Sequence, residues 1–279
     1  MQVYLYAKSG HNIGLDATRR CAAVAAFLQK FDPVLCTSDF RAGAYAKEHL
    51  GIKKYVSIDV LSNLPNIMQR GDILIYDSDE ASDFMEKHMR DFCSILYKIG
   101  SDIPKNIVNT TLFTPQNNTQ NNKAFFFGDD DYNNVLVNLC HKSKQHDLTL
   151  LLGHYFFLGN ETKLAPFFSL ILDEEEYIQT IQNTKYLLSG SVNACLESVY
   201  CGNSPVFYAR CDKSYLDIEL IEQLDIPIIS SASLDEIVKE FEHIIHDYPL
   251  LNDFQWADVS FMTKEIQDIF NKYDTLVRK

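Results

Sequence analysis

The 279-residue sequence contains no CxxC pair and no Cys/His cluster. Its seven cysteines, Cys21, Cys36, Cys93, Cys140, Cys195, Cys201 and Cys211, are odd in number and scattered. That pattern argues against a structural zinc site and predicts reduced, mostly buried thiols in a cytoplasmic protein. Basic residues are also scarce: 25 Lys and Arg stand against 38 Asp and Glu, for a formal net charge of −13. Such a chain has no long-range attraction for DNA, RNA or an anionic membrane, and the first consequence of the charge is solubility. An anionic small molecule could still be held, but only by local backbone donors or a few basic residues. No stretch approaches the roughly 18 apolar residues of a membrane span, so no membrane insertion is expected. The start, residues 1–6, has no charged leader region or cleavage site and is not read as a signal peptide. No GxGxxG follows a strand, so no dinucleotide fingerprint, and no cofactor, is predicted.

What is present is a strongly apolar chain, 46% hydrophobic, with 18 Phe and 15 Tyr. That content argues against disorder, and the length suits two domains of about 120–150 residues, each with its own core. Strand-like runs at 2–6, 33–37, 54–58 and 73–77 alternate with helical patterns at 16–29, 42–50 and 81–97. A polar, low-complexity stretch at 114–122 is the best linker. The pattern then restarts, with strands at 124–127, 148–152, 167–171, 186–188 and 205–208. Helices are expected at 132–144, 173–184, 192–201, 235–247 and 261–276. Alternation of this kind predicts an α/β fold with parallel sheets covered on both faces. The division read from it is a first Rossmann-like domain at 1–115, a second at 123–260, and a closing helix at 261–279.

Four segments could carry chemistry. In the first, the strand Leu187-Leu188 runs into Ser189, Gly190 and Ser191, which open a helix bearing Asn193 and Glu197. Free N–H groups at such a helix start face any anion placed there, and Gly190 would let it come close. Glu197, one turn on, could accept from a ribose diol. An ordinary helix capped by serine is the alternative. The second is Gly128 followed by Asp129, Asp130 and Asp131, either a divalent-cation site or an acidic turn that caps a helix. The third is the loop after the first strand, with His11 and Gly14, followed by Arg19 and Arg20. It lies where ligands sit in open α/β sheets. His11 could be a base or a loop hydrogen-bonder, and the arginines could hold an anion or face solvent. The fourth is Asp77-Ser78-Asp79-Glu80 at another strand end, where Asp77 or Asp79 could do acid–base work.

In their order these segments resemble the PseG-type UDP-sugar hydrolases of pseudaminic acid biosynthesis, relatives of SpsG and more distantly of MurG. Ile13-Gly14 and Arg20 match an Ile-Gly-aromatic-Gly-His-x-x-Arg motif. Ile75-Tyr76-Asp77 matches an Ile-x-Asp strand end, and Gly128-x-x-Asp131-x-x-Asn134 matches Gly-Gly-Thr-Asp-x-x-Asn. Ser189, Ser191, Asn193 and Glu197 match a Ser-x-Ser loop with its Asn and Glu. The resemblance implies a bacterial protein of GT-B-like fold, two Rossmann-like domains with parallel sheets facing a cleft, and UDP or a UDP-sugar as ligand. It also implies departures. The family's catalytic His falls on Ala17 and the preceding Gly on Asp16. An aromatic position falls on Asp79, the second Gly of Gly-Gly-Thr on Asp129, and the Asn before the Glu on Leu196.

The expectation is therefore a non-hydrolytic nucleotide-sugar-binding or interaction protein of surface-glycan or flagellin-glycosylation metabolism. An active glycosyltransferase or hydrolase using His11, Asp77 or Asp79 is the alternative, and a scaffold with no small-molecule site is the third possibility. A protein partner is compatible with each of them.

Overall fold

A computed structural model describes residues 1–116 and 122–277, with side chains through Tyr273. The middle of the expected linker, 117–121, lies outside the described residues. The chain divides into two units. The first contains residues 1–10, 15–111 and 256–279, and the second 11–14 and 112–255.

The first unit is a five-stranded parallel sheet built from β1 (Val3–Ala7), β2 (Val34–Thr37), β3 (Lys54–Ser57), β4 (Ile73–Asp77) and β5 (Ile95–Lys98). Its order is β3-β2-β1-β4-β5, the Rossmann order. β1 and β4 are central and almost wholly buried, so they read as continuous apolar runs rather than as alternation. α1 (Asp16–Phe27) is alanine-rich and buried along most of its length, and it packs on β1 and β4. α2 (Phe40–His49) starts where the Asp39 carboxylate accepts from the Arg41 amide. α3 (Asp83–Phe92) starts where the Ser82 hydroxyl accepts from the Met85 amide.

The expected helix at 81–97 needs correcting. It ends at Phe92, and the remainder becomes the edge strand β5. Periodicity alone cannot separate the two, because the apolar run Ile95-Leu96-Tyr97 suits either. Tertiary bonds decide it. The Ser94 amide donates to Asp72 O at 2.9 Å and its hydroxyl to Gly71 O at 2.6 Å, which draws the chain beside β4.

The second unit has a six-stranded parallel sheet: β6 (Lys123–Phe126), β7 (His146–Leu151), β8 (Phe168–Leu172), β9 (Tyr186–Ser189), β10 (Val206–Tyr208) and β11 (Ile228–Ile229). The order β11-β10-β9-β6-β7-β8 repeats the doubly wound arrangement. Its helices are α4 (Val135–Leu139), α5 (Asn160–Leu164), α6 (Tyr177–Asn183), α7 (Val192–Tyr200), α8 (Glu219–Gln223) and α9 (Leu234–His246). Phe125, Phe127, Phe168 and Tyr208 centre a buried aromatic cluster on one face of this sheet. The helix expected over 132–144 is only five residues long, because Asn134 and Lys142 adopt positive φ on either side of it. Helix α5, helix α8 and the two-residue strand β11 were not expected. α10 (Ser260–Val277) groups with the first unit, where Phe270 meets Phe31.

The chain is thus α/β, with two parallel Rossmann-like sheets. Each sheet has one switch point, where the strand order reverses: between β1 and β4 in the first unit, and between β6 and β9 in the second. Crevices for ligands form outside the carboxyl ends of strands at such points.

Candidate functional site

At the switch point of the first unit, Ala7 pairs in register with Asp77. The Asp77 carboxylate accepts from Arg20 Nε at 2.6 Å, and both side chains are buried. Sequence reading assigned Asp77 to catalysis and Arg20 to binding, and the structure brings the two together as an ion pair. Neither Arg19 nor Arg20 faces solvent. Arg19 reaches Asp16 Oδ1 at 3.4 Å. Asp79, at the same strand end, is exposed and has no bonded partner among the described residues. Ala17 is buried in the first turn of α1.

Glu80, two residues beyond Ser78, is the more engaged carboxylate. Its oxygens accept from the Tyr6 hydroxyl at 2.9 Å, the Leu61 amide at 3.2 Å and the Lys8 ammonium. Burial alone would raise the Glu80 carboxyl, but the bonds from Lys8, Leu61 and Tyr6 hold it below the ordinary carboxylate range. Burial and this neighbouring carboxylate push the Tyr6 phenol far above its usual value.

The segment 11–14 groups with the second unit. His11 is exposed and its ring stands 4.6 Å from that of Tyr132, while Gly14 is buried.

At the switch point of the second unit, Phe126 pairs with Ser189. Ser191 caps α7, its hydroxyl accepting from the Ala194 amide at 3.1 Å. Ser189 Oγ accepts from the Ser191 amide at 3.1 Å. Glu197 is buried, with one oxygen taking the Asn193 amide group at 2.9 Å and the other the Tyr177 hydroxyl at 2.6 Å. Both oxygens of Glu197 are therefore already hydrogen-bonded within the unit.

The three aspartates after Gly128 serve different partners. Asp129 Oδ1 accepts from the His154 amide at 3.1 Å. Asp131, fully buried, accepts from the Val135 and Leu136 amides at 2.7 and 3.1 Å and so opens α4. Burial outweighs those two bonds and pushes the Asp131 carboxyl up to about 6. Asp130 binds Arg210. Among the described residues no cluster of His, Cys, Asp and Glu side chains has the arrangement to hold a metal ion.

Arg210 follows β10 and was not singled out from sequence. Its guanidinium is buried, with Nη1 at 2.6 Å from Asp130 Oδ1, and Nε and Nη2 forked onto Asp212 at 3.1 and 2.7 Å. Lys213 Nζ closes the lattice at 3.0 Å from Asp130 Oδ2. The guanidinium lies 4.2 Å from the centre of the Phe127 ring. Removal from water would weaken its charge, but Asp212 and Asp130 more than compensate and hold it protonated. It sits against two glycines that have no room for a side chain. A Cβ on Gly190 would stand 2.4 Å from Phe127 O and 2.9 Å from Arg210 Cδ, and one on Gly128, at φ +123, would stand 3.0 Å from Arg210 Nη1. The signal available in the sequence was its place at a strand end, just past β10 as Gly128 and Gly190 are just past β6 and β9.

No family model matches the chain, and no curated protein is similar to it by sequence. Solved structures are similar to it. UDP-GlcNAc 2-epimerase from Neisseria meningitidis, bound to UDP-GlcNAc, aligns with TM-score 0.47 at 11% identity, over 88% of this chain and 92% of that one. The E. coli heptosyltransferase WaaC with ADP aligns with TM-score 0.44 at 7% identity, over 88% and 98%. The glycotransferase of kitacinnamycin aligns with TM-score 0.47 at 10% identity, over 88% and 90%.

Proposed function

We propose that this chain is a non-hydrolytic nucleotide-sugar-binding protein of bacterial surface-glycan or flagellin-glycosylation metabolism, divergent from the PseG type. The observation that carries the reading is the Arg210 guanidinium, buried between Asp130 and Asp212 against Gly190 and Gly128. This is the carboxyl edge of a doubly wound sheet, beside the start of α7, where an anionic ligand finds backbone donors. Ser189, Gly190, Ser191, Asn193, Gly128 and Arg210 are the residues assigned to the diphosphate end of a UDP-sugar. Asp130 already occupies the guanidinium, so the ligand has to displace a carboxylate, and affinity is modest.

The absence of hydrolysis follows from residue chemistry. Ala17 stands where the resembled family has its catalytic His, and an alanine takes no proton. Asp77, the carboxylate at the end of β4, is held by Arg20 at 2.6 Å. Titration calorimetry with UDP and UDP-GlcNAc tests the binding, and chromatography of the incubated nucleotide sugar tests the chemistry. Expected is saturable binding without release of UDP. Asp130→Asn removes the competing charge and is expected to strengthen UDP binding by roughly tenfold, which corresponds to about 1.4 kcal/mol. Rapid turnover, or no binding by either protein, ends this reading.

A second reading, an active enzyme, is favoured by Asp79, an exposed carboxylate at the end of β4 with no bonded partner among the described residues, together with the exposed His11. It requires that His11→Ala or Asp79→Asn abolish UDP-sugar turnover in a protein that shows it.

A further inference from the structure

The two faces of the first sheet are covered unequally. α1 is buried against one of them, whereas no residue of α3 is buried. Between α3 and the 3₁₀ turn Leu61–Asn66 a cavity of about 630 Å³ opens to solvent. Its floor is core: Leu64, Met68 and Leu74 are buried and belong to one cluster with Tyr6, Tyr76 and Leu96. Its wall is the apolar side of α3, where Met85, Met89 and Phe92 are half-buried, and Phe84 stands at the mouth 72% exposed. The volume lies within the range of small-molecule sites, and a lining with three methionines is one that adjusts to a flexible apolar chain.

The mouth carries the polar information. Arg70 is exposed and lines the cavity. Its Nη2 donates to the carbonyl of Asp91 at 2.9 Å, and among the described residues it has no carboxylate partner. Arg20, Lys54, Lys98, Lys123 and Arg210 each meet one. In a chain of net charge −13, an uncompensated guanidinium at the lip of an apolar cavity is a place for an anion. Asp91 lines the same lip, so a head bearing several charges meets repulsion there. A single carboxylate suits the pair: it can take the Arg70 fork while its chain runs inward. His88 also lines the mouth, but its Nδ1–H is given to Phe84 O at 2.7 Å.

We propose that this cavity binds a long-chain aliphatic monocarboxylate, its tail between α3 and the 3₁₀ turn and its head on Arg70. The test is displacement of fluorescent cis-parinaric acid from the full chain by straight-chain carboxylates and by the matching alcohols. Expected is one saturable site, with affinity rising roughly fourfold per added methylene as apolar surface leaves water. Arg70→Ala, a change at an exposed position, should weaken decanoate by roughly tenfold and leave decanol unchanged. Met89→Glu, which puts a charge against the tail, should abolish binding while circular dichroism stays that of the wild type. If Met89→Glu does not fold, Arg70→Ala decides the matter, because equal loss of decanoate and decanol, or loss of neither, overturns the assignment. Absence of saturable binding also overturns it. So does self-association that Met89→Glu removes without any fatty-acid binding, which would give the cavity to a second copy of the chain.

Discussion

Asp131 illustrates how a residue read as a ligand contact can be committed to the fold. Its carboxylate opens α4 through two backbone amides, and burial raises its pKa to about 6 against about 4 in an unfolded chain. The native state thus holds this proton more tightly than the unfolded state does. The stability it contributes is fully present below about pH 4 and is lost as pH rises through about 6. Asp131→Asn keeps an acceptor and removes the ionisation. Urea unfolding from pH 4 to pH 7 should show the wild type losing about 2–3 kcal/mol relative to the variant. Gly190 is the second such residue. A methyl group there would press on Phe127 O and Arg210 Cδ, at 2.4 and 2.9 Å. Gly190→Ala should cost about 1–3 kcal/mol in thermal or urea unfolding, as overpacking does, with the largest loss of amide protection around Arg210. At this scale the chemistry was only partly legible. Asp77 and Arg20 were both visible as candidates, but not that they neutralise each other across 57 positions of chain.

At the scale of elements, local signals were read well wherever sequence neighbours decide the structure. β4 was expected at 73–77 and is Ile73–Asp77, and the helix expected at 192–201 is α7, capped by Ser191 as the sequence allowed. Elements defined by distant partners were missed. β5 exists because β4 offers a free edge and Ser94 is tied to Asp72, and β11 is two residues that pair with β10. α3 is the element most dependent on its own local bonds. It has no buried residue, and its start rests on the Ser82 cap. Ser82→Ala should therefore cost about 1 kcal/mol. Its amides should exchange faster in the variant while those of α1 are unchanged, as hydrogen-exchange mass spectrometry can read.

For the whole molecule, composition carries consequences that need no coordinates. With a net charge of −13 and an isoelectric point near 5.0, self-repulsion fades as pH approaches 5. Solubility in a polyethylene glycol series should pass through its minimum near that pH, and the protein should not be retained by duplex DNA at physiological salt. No helix among the described residues is long and apolar enough to cross a membrane.

The sequence by itself determined the alternation of strands and helices, the presence of two cores, and the small-residue turn before α7, because each depends on propensity and pattern within a few residues. Only the tertiary structure decided which carboxylates are spent and which cations are left. Arg210 reaches Asp130 across 80 positions, from the end of β10 past β9 to the end of β6, and Lys8 reaches Glu80 across 72, from the end of β1 to that of the adjacent β4, distances that only the order of each sheet makes short. An ion pair needs its groups within a few ångströms, and sequence separation carries no information about that distance until the sheet has formed.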